Sequence, residues 1–364
     1  MENTNSKISR RKFFGASAAA LAVTTLTSTS LSSCTGGNTS APLPAQQGSK
    51  FGGVQIGTIT YSWRTMPGGL DNIIKYCKTS GISSIELMSG DLEQYMGLPE
   101  NPLAKVFADE SRDPAAQTKA KPNQEYRYVA VGSGYIRVPY PFTKEQQDAV
   151  DKYNADIKEW RINLPMSKAE DARKLLKDNG IQAHIVKFSP SGWSDEEIDY
   201  AFKVAKTMGA KAVTEEISLD AAKKLAPFAA KHDMYVGMHN HMQYAEADFD
   251  VDAILAVHPS IMLNFDAGHY YGSTGKNPCD FVKQYHDRIH SIHIKDKTGP
   301  NTDPANSNQV FGQGETAIAE LLKLIQQEKW PIHIDIELEY KVAPWSTSEK
   351  EVATCVDYLR QILI

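Results

Sequence analysis

From Gly53 to the C-terminus the chain alternates between two patterns. Short runs rich in Val, Ile and other apolar residues fall at 54–60, 82–88, 181–187, 211–216, 234–239, 261–266, 289–294 and 332–339. Runs of that length bounded by turn residues predict strands. Between them apolar residues recur with helical spacing, as in Asp195–Met208, where Ile198, Phe202 and Ala205 share one face, and in Leu219–His232. Gly81, Gly180 and Gly209 each stand where a helix must stop shortly before the next strand. Eight strand–helix units within residues 51–364 predict an α/β fold, a (β/α)₈ TIM barrel rather than a doubly wound sheet. One stretch breaks the rhythm. After the second strand, residues 89–145 form a long insertion carrying Tyr126, Tyr128, Tyr135 and Tyr140; on the C-terminal face of a barrel it would serve as a lid or substrate wall.

The first fifty residues follow a different pattern. Ser9-Arg10-Arg11-Lys12-Phe13-Phe14 precedes a weakly apolar, Ala-rich run from Ala16 to Val23, the order of an export signal rather than of a helix in the mature fold. The paired arginines resemble a twin-arginine signal, and Leu31-Ser32-Ser33-Cys34 resembles a bacterial lipobox. The expectation is a signal peptide over 1–34, a flexible Gly/Ser/Pro-rich tether over 35–50, and an exported, periplasmic or cell-envelope protein held to the membrane only by a lipid on Cys34. The bland alternative is a cleaved signal with an incidental cysteine.

Composition narrows the partners. With 39 Lys+Arg against 44 Asp+Glu the chain lacks the basic excess that tracking a nucleic-acid backbone requires. Cys77, Cys279 and Cys355 are too few and too scattered for a disulfide framework and are expected to be buried apolar residues. Nothing in the composition fixes an oligomeric state.

The chemistry gathers where strands end. Glu215 and Glu216 close the fourth strand, His239, Asn240 and His241 the fifth, and Asp266 with His269 the sixth. His293, Lys295 and Asp296 close the seventh, and Glu337 and Glu339 the eighth. That edge of a barrel carries the active site. A lone histidine there is usually a structural hydrogen-bonder; five consecutive strands ending in carboxylate or imidazole call for a counter-ion, so a bound cation is expected. Mixed imidazole and carboxylate donors favour Mn, Zn, Co or Fe(II), with Mg possible. The candidate ligands are Glu215, Glu216, His239, Asp266, His293 and Glu337. Candidates for substrate contact are Asn240, His241, His269 and, on the second strand, Glu86. Phe311-Gly312-Gln313-Gly314 falls where barrels often bind phosphate, but a turn contacting hydroxyls is the favoured reading.

The motifs Val236-Gly237-Met238-His239-Asn240-His241, Leu263-Asn264-Phe265-Asp266-Ala267-Gly268-His269, Ile292-His293-Ile294-Lys295-Asp296 and Ile336-Glu337-Leu338-Glu339 resemble the xylose-isomerase-like TIM barrels, including sugar phosphate isomerases/epimerases. The resemblance runs from Gly53 onward except through the insertion. It implies a metal held by Asp266, His293 and Glu337, with Glu339 as the register alternative. His239 stands where the family's ketose 3-epimerases carry a glutamate that is also an acid/base group; Glu215 or Glu216 could restore that carboxylate.

The resemblance implies a metal-dependent carbohydrate isomerase or epimerase that removes a proton next to a sugar carbonyl, with Glu337, Glu339, Glu216 and Lys295 as catalytic candidates. An exported member is expected to act on free sugars or glycosides. The alternative is a 3-keto-glycoside lyase or a 2-hydroxy-3-keto-glucal hydratase using the same enediolate. A sugar-binding lipoprotein ranks below both.

Overall fold

The computed structural model describes residues 48–113, 117–131 and 134–364. The export signal, the lipobox with Cys34 and most of the tether lie outside the described residues. Eight parallel strands form the barrel: β1 (Val54–Ile59), β2 (Ser84–Met88), β3 (Gln182–Lys187), β4 (Ala212–Glu216), β5 (Tyr235–His239), β6 (Ile261–Asp266), β7 (Ile289–Ile294) and β8 (His333–Ile336). Each pairs with its sequence neighbour, and β1 pairs with both β2 (Thr58↔Ile85) and β8 (Ile334↔Ile56), which closes the ring. The helices over Asp195–Met208 and Leu219–His232 form at the bounds their periodicity predicts. The first ends on Gly209 at φ 83°, the left-handed conformation that glycine adopts without a Cβ penalty.

The period-two alternation of the strands decides where polarity goes. Ile85, Leu87, Leu263, Phe265, Ile292, Ile294, Ile334 and Ile336 are buried in the main apolar core, and the Phe265 ring stacks on Phe281 of the helix Pro278–Tyr285. The residues between them, Glu86, Asn264, His293 and Asp335, turn into the barrel and are fully buried. The interior is therefore a polar column wrapped in an apolar layer. Gly57 fits this crowding: a Cβ there would lie 2.4 Å from Asp335 Oδ1 and 2.7 Å from the Ser84 carbonyl oxygen.

Two boundaries differ from the sequence expectation. The barrel begins before residue 51: Lys50–Phe51 pairs antiparallel with the start of β1, and the buried Ser49 accepts from Ser83 N at 2.9 Å. The end of the expected tether is thus part of the fold, because those backbone groups find partners at the barrel's lower edge. The insertion is not a single loop. It holds the helix Ser89–Met96, the short helices Leu103–Val106 and Ala108–Arg112, and an antiparallel hairpin (Glu125–Val131 with Gly134–Tyr140). The helix Lys144–Asn163 follows. Leu103, Phe107, Val129, Val138 and Tyr153 give this region its own small core, while Tyr128 and Tyr135 remain exposed. Cys77, Cys279 and Cys355 are free and buried. No helix among the described residues is long and apolar enough to cross a membrane.

Candidate metal and proton-transfer site

Because side chains two apart on a strand share a face, β7 and its extension send Ser291, His293, Lys295 and Lys297 inward in successive layers, and β8 and the segment that follows it send His333, Asp335, Glu337 and Glu339. At the lower end the rings of His184 and His333 stack at 4.1 Å, and His184 Nε2 lies 2.9 Å from Asp335 Oδ2. Above them the Glu86 carboxylate accepts from Thr214 Oγ1 at 2.7 Å and Asn264 Nδ2 at 2.8 Å, and meets His293 Nε2 at 2.7 Å. Burial raises the Glu86 pKa, but the charge of His293 and the bond to it outweigh burial and bring it down to about 2.

The other face of the His293 ring looks up into the cage. Its Nδ1 is 2.8 Å from Glu337 Oε2. Lys295 Nζ stands between three carboxylates, 2.9 Å from Asp266 Oδ2, 2.9 Å from Glu337 Oε2 and 2.7 Å from Glu339 Oε2. Burial works against its charge; the three carboxylates overcome that and raise its pKa. The same balance holds Asp266 and Glu337 far into the ionised form: desolvation pushes each up, and Lys295 leads the groups that bring each down. His239 Nε2 faces Asp266 Oδ2 at 3.6 Å and Glu337 Oε2 at 3.8 Å, with Nδ1 3.5 Å from Glu216 Oε2. Burial lowers its pKa, but the facing carboxylates of Asp266, Glu216 and Glu337 raise it to about 9.

His239, Asp266, His293 and Glu337 each offer a ligand atom within 4.8 Å of the others, and all four are buried. Two observations fit a divalent cation to this group. His239 Nε2 is buried without a hydrogen-bond partner, facing Asp266 Oδ2 at 3.6 Å and Glu337 Oε2 at 3.8 Å. The outer nitrogen of each histidine is taken by a carboxylate, Glu86 behind His293 and Glu216 behind His239, the arrangement that fixes the tautomer and orientation of metal-binding histidines. Two nitrogens and two carboxylates suit Mn, Zn, Co or Fe(II).

The remaining expected site residues divide. Glu216 reaches the cage wall, paired with Lys187 Nζ at 2.8 Å and with His241 Nε2 at 3.6 Å. Glu215, expected as a ligand, points the other way: its carboxylate accepts from Ser191 N at 2.7 Å and Glu216 N at 2.9 Å, as its odd place in the strand alternation requires. It stands outside the ligand group. Asn240, expected to touch substrate, is engaged at both ends by the Asp266 backbone, at 2.9 and 3.1 Å. Glu86, expected likewise, lies on the floor with its oxygens in use. His241 is half-exposed at the mouth, and His269 Nε2 is 3.7 Å from Glu339 Oε2. Burial brings the His269 pKa down to about 4. Gly312 N and Gly314 N both donate to Asp296 Oδ2, at 2.8 and 2.9 Å, so an internal carboxylate engages this turn. Thr214, Asn264, Lys187, Lys297 and Asp335 were not singled out by sequence reasoning. The signal was available, since all but Lys187 sit two residues from a named one on the same face.

Against known proteins, a family model described as Xylose isomerase-like TIM barrel matches residues 141–362. An inosose dehydratase from Clostridium botulinum (strain Eklund 17B / Type B) is 34% identical over 76 residues, which span 20% of this chain and 25% of that protein. A sugar phosphate isomerase/epimerase structure from Parabacteroides distasonis ATCC 8503 superposes with a TM-score of 0.50 at 13% identity, covering 89% of this chain and 98% of that one. The apo structure of 3-keto-D-glucoside 4-epimerase from E. coli gives 0.51 at 11% identity, covering 85% and 99%. Identities this low show the shared barrel.

Proposed function

Since the chain belongs to the xylose isomerase-like TIM-barrel family, we propose that it is a divalent-metal-dependent carbohydrate isomerase or epimerase working by proton transfer next to a sugar carbonyl. The observation that carries this reading is the convergence of Asp266, Glu337 and Glu339 on Lys295, beside two imidazoles held from behind by carboxylates. His239, Asp266, His293 and Glu337 would hold the ion. When bound it supplies Lewis-acid stabilisation to the negative charge that develops on the substrate oxygens.

The chain's own groups supply the proton transfer. Glu337 is enclosed by His293, His239 and Lys295 and acts within the ligand set. Glu339 is two residues further out, with a side chain 21% exposed, and reaches the mouth of the barrel. Glu216 stands on β4, four strands from β8 in a ring of eight, so the two carboxylates approach a bound substrate from opposite walls. Removing a proton on one face and returning it on the other, as epimerisation requires, needs that placement. Lys295, hydrogen-bonded to Glu339 at 2.7 Å, holds the carboxylate in place and can pass a proton to an oxygen leaving from its side. That contact favours the second reading, elimination from a 3-keto-glycoside or hydration of the corresponding glucal. The solved 3-keto-D-glucoside 4-epimerase and the curated inosose dehydratase bear names of both kinds.

Incubating the metal-loaded chain in D₂O with free and 3-keto sugars tests the reading. Deuterium at the carbon next to the carbonyl supports it; sugars recovered without deuterium from the whole panel would reject it. We also place the enzyme outside the cytoplasm on a lipid at Cys34, on the strength of the first 34 residues. Cys34→Ala should then release the exported protein from the membrane fraction, and retention without an acyl label would refute the anchor.

A further inference from the structure

Beside the cage lies a cleft of about 490 Å³ between the loop after β1 and the loop after β8. Its wall includes Arg64, Thr65, Glu339, Lys341, Val342 and Ser346. Glu339 belongs to both spaces: its carboxylate meets Lys295 in the cage, and its residue lines the cleft. The cleft is open on one side, and its volume falls within the roughly 300–1,000 Å³ of small-molecule sites.

The lining is built for hydroxyl groups. The Arg64 guanidinium is fixed by one nitrogen, Nη1 donating to Leu338 O at 2.8 Å and Tyr61 O at 3.2 Å, and stacks over the Tyr61 ring at 4.4 Å. Among the described residues nothing hydrogen-bonds its Nη2 or Nε, nor the Lys341 ammonium, so donors remain for a ligand. Charged donors with N–H groups to spare suit a pyranose, which offers hydroxyls at its edge.

We propose that this cleft is a second sugar subsite, which takes the ring glycosidically linked to the one at the cage, so that the substrate class is a disaccharide or larger glycoside. The proposal rests on the carbohydrate reading above and adds where the rest of the substrate lies. Binding energy gathered in the cleft, remote from the reacting carbon, would position that carbon against Glu339.

Calorimetry on the Mn²⁺-loaded full chain with cellobiose, maltose and trehalose against glucose tests it. At least one disaccharide should bind about tenfold more tightly than glucose, the effect of one hydrogen bond to a charged group. Arg64→Ala should remove that advantage and leave glucose binding unchanged. Lys341→Ala, at an exposed position of the cleft wall, should weaken the same disaccharide and leave glucose unchanged. Glucose binding with no disaccharide advantage, or variants that weaken both sugars alike, overturns the subsite alone. No binding of any of the four sugars overturns the subsite, and the carbohydrate reading falls with it only if the deuterium panel is also blank.

Discussion

Glu86 Oε2 and His293 Nε2 meet at 2.7 Å with both side chains fully buried, on the opposite side of the imidazole from Glu337. The contact ties the barrel floor to the cage. With its outer nitrogen engaged by Glu86, the ring can offer only Nδ1 upward, so Glu86 sets the donor without touching the ion. Replacing Glu86 with Gln keeps the shape and, with the amide oxygen toward Asn264, the bond from that residue, but removes the charge that orients the ring. Metal affinity should fall about 10- to 100-fold, the usual cost of losing such a partner, as measured by competition with a chelating dye. Unchanged affinity would show that the floor merely packs.

Asp266 has two jobs that a single substitution separates. Its Oδ1 accepts from His269 N at 2.7 Å and caps the helix Ala267–Thr274, while Oδ2 faces His239 and Lys295. Asparagine caps a helix about as well as aspartate but carries no charge. Asp266→Asn should therefore retain wild-type circular dichroism and lose most of its bound metal. A full complement of metal in that variant would remove Asp266 from the ligand set.

The strands were legible because the apolar residues on their outer faces, such as Phe265, Ile292 and Ile334, repeat with a period of two against the helices. The same alternation separates Glu216 from Glu215 once the strand face is known. The floor was not legible. Glu86 meets Thr214 and Asn264 across sequence separations of 128 and 178 residues, and only barrel closure brings them together. The hairpin in the insertion was hidden for another reason. Its buried positions, Val129 and Val138, alternate with tyrosines and arginines, so the segment reads as polar until it folds back on Phe107 and Tyr153.

The lower end of the barrel should make the fold sensitive to acid. Burial brings the pKa of His290 down to about 3 and that of His333 to about 4, with the charge of neighbouring histidines adding to it. In the unfolded chain both titrate near 6.5. The folded state thus binds fewer protons, so the stability these groups contribute is complete above about pH 6.5 and is lost as pH falls toward 3–4. His290→Gln, which cannot protonate, should flatten this acid limb in denaturant titrations between pH 7 and 4. Parallel pH dependence in wild type and variant would show that other groups dominate.

Glu337 and Glu339 follow the end of β8 two residues apart and share one partner, Lys295, but differ in what surrounds them. Glu337 Oε2 is enclosed by His293 Nδ1 at 2.8 Å, Lys295 at 2.9 Å and His239 at 3.8 Å. Glu339 Oε2 has Lys295 at 2.7 Å and His269 at 3.7 Å, and its residue opens on the cleft. A ligand needs the enclosed position; a base needs access to the substrate carbon. Glu337→Gln should therefore lower metal content and turnover together. Glu339→Gln should keep the metal and lose turnover by roughly 10²–10⁴-fold, the range of general acid–base catalysis, because an amide cannot accept the proton. Measuring metal content and deuterium incorporation on the same preparations separates the roles. If Glu339→Gln exchanges deuterium at the wild-type rate while Glu337→Gln retains its metal and does not exchange, the roles are reversed and Glu337 is the base.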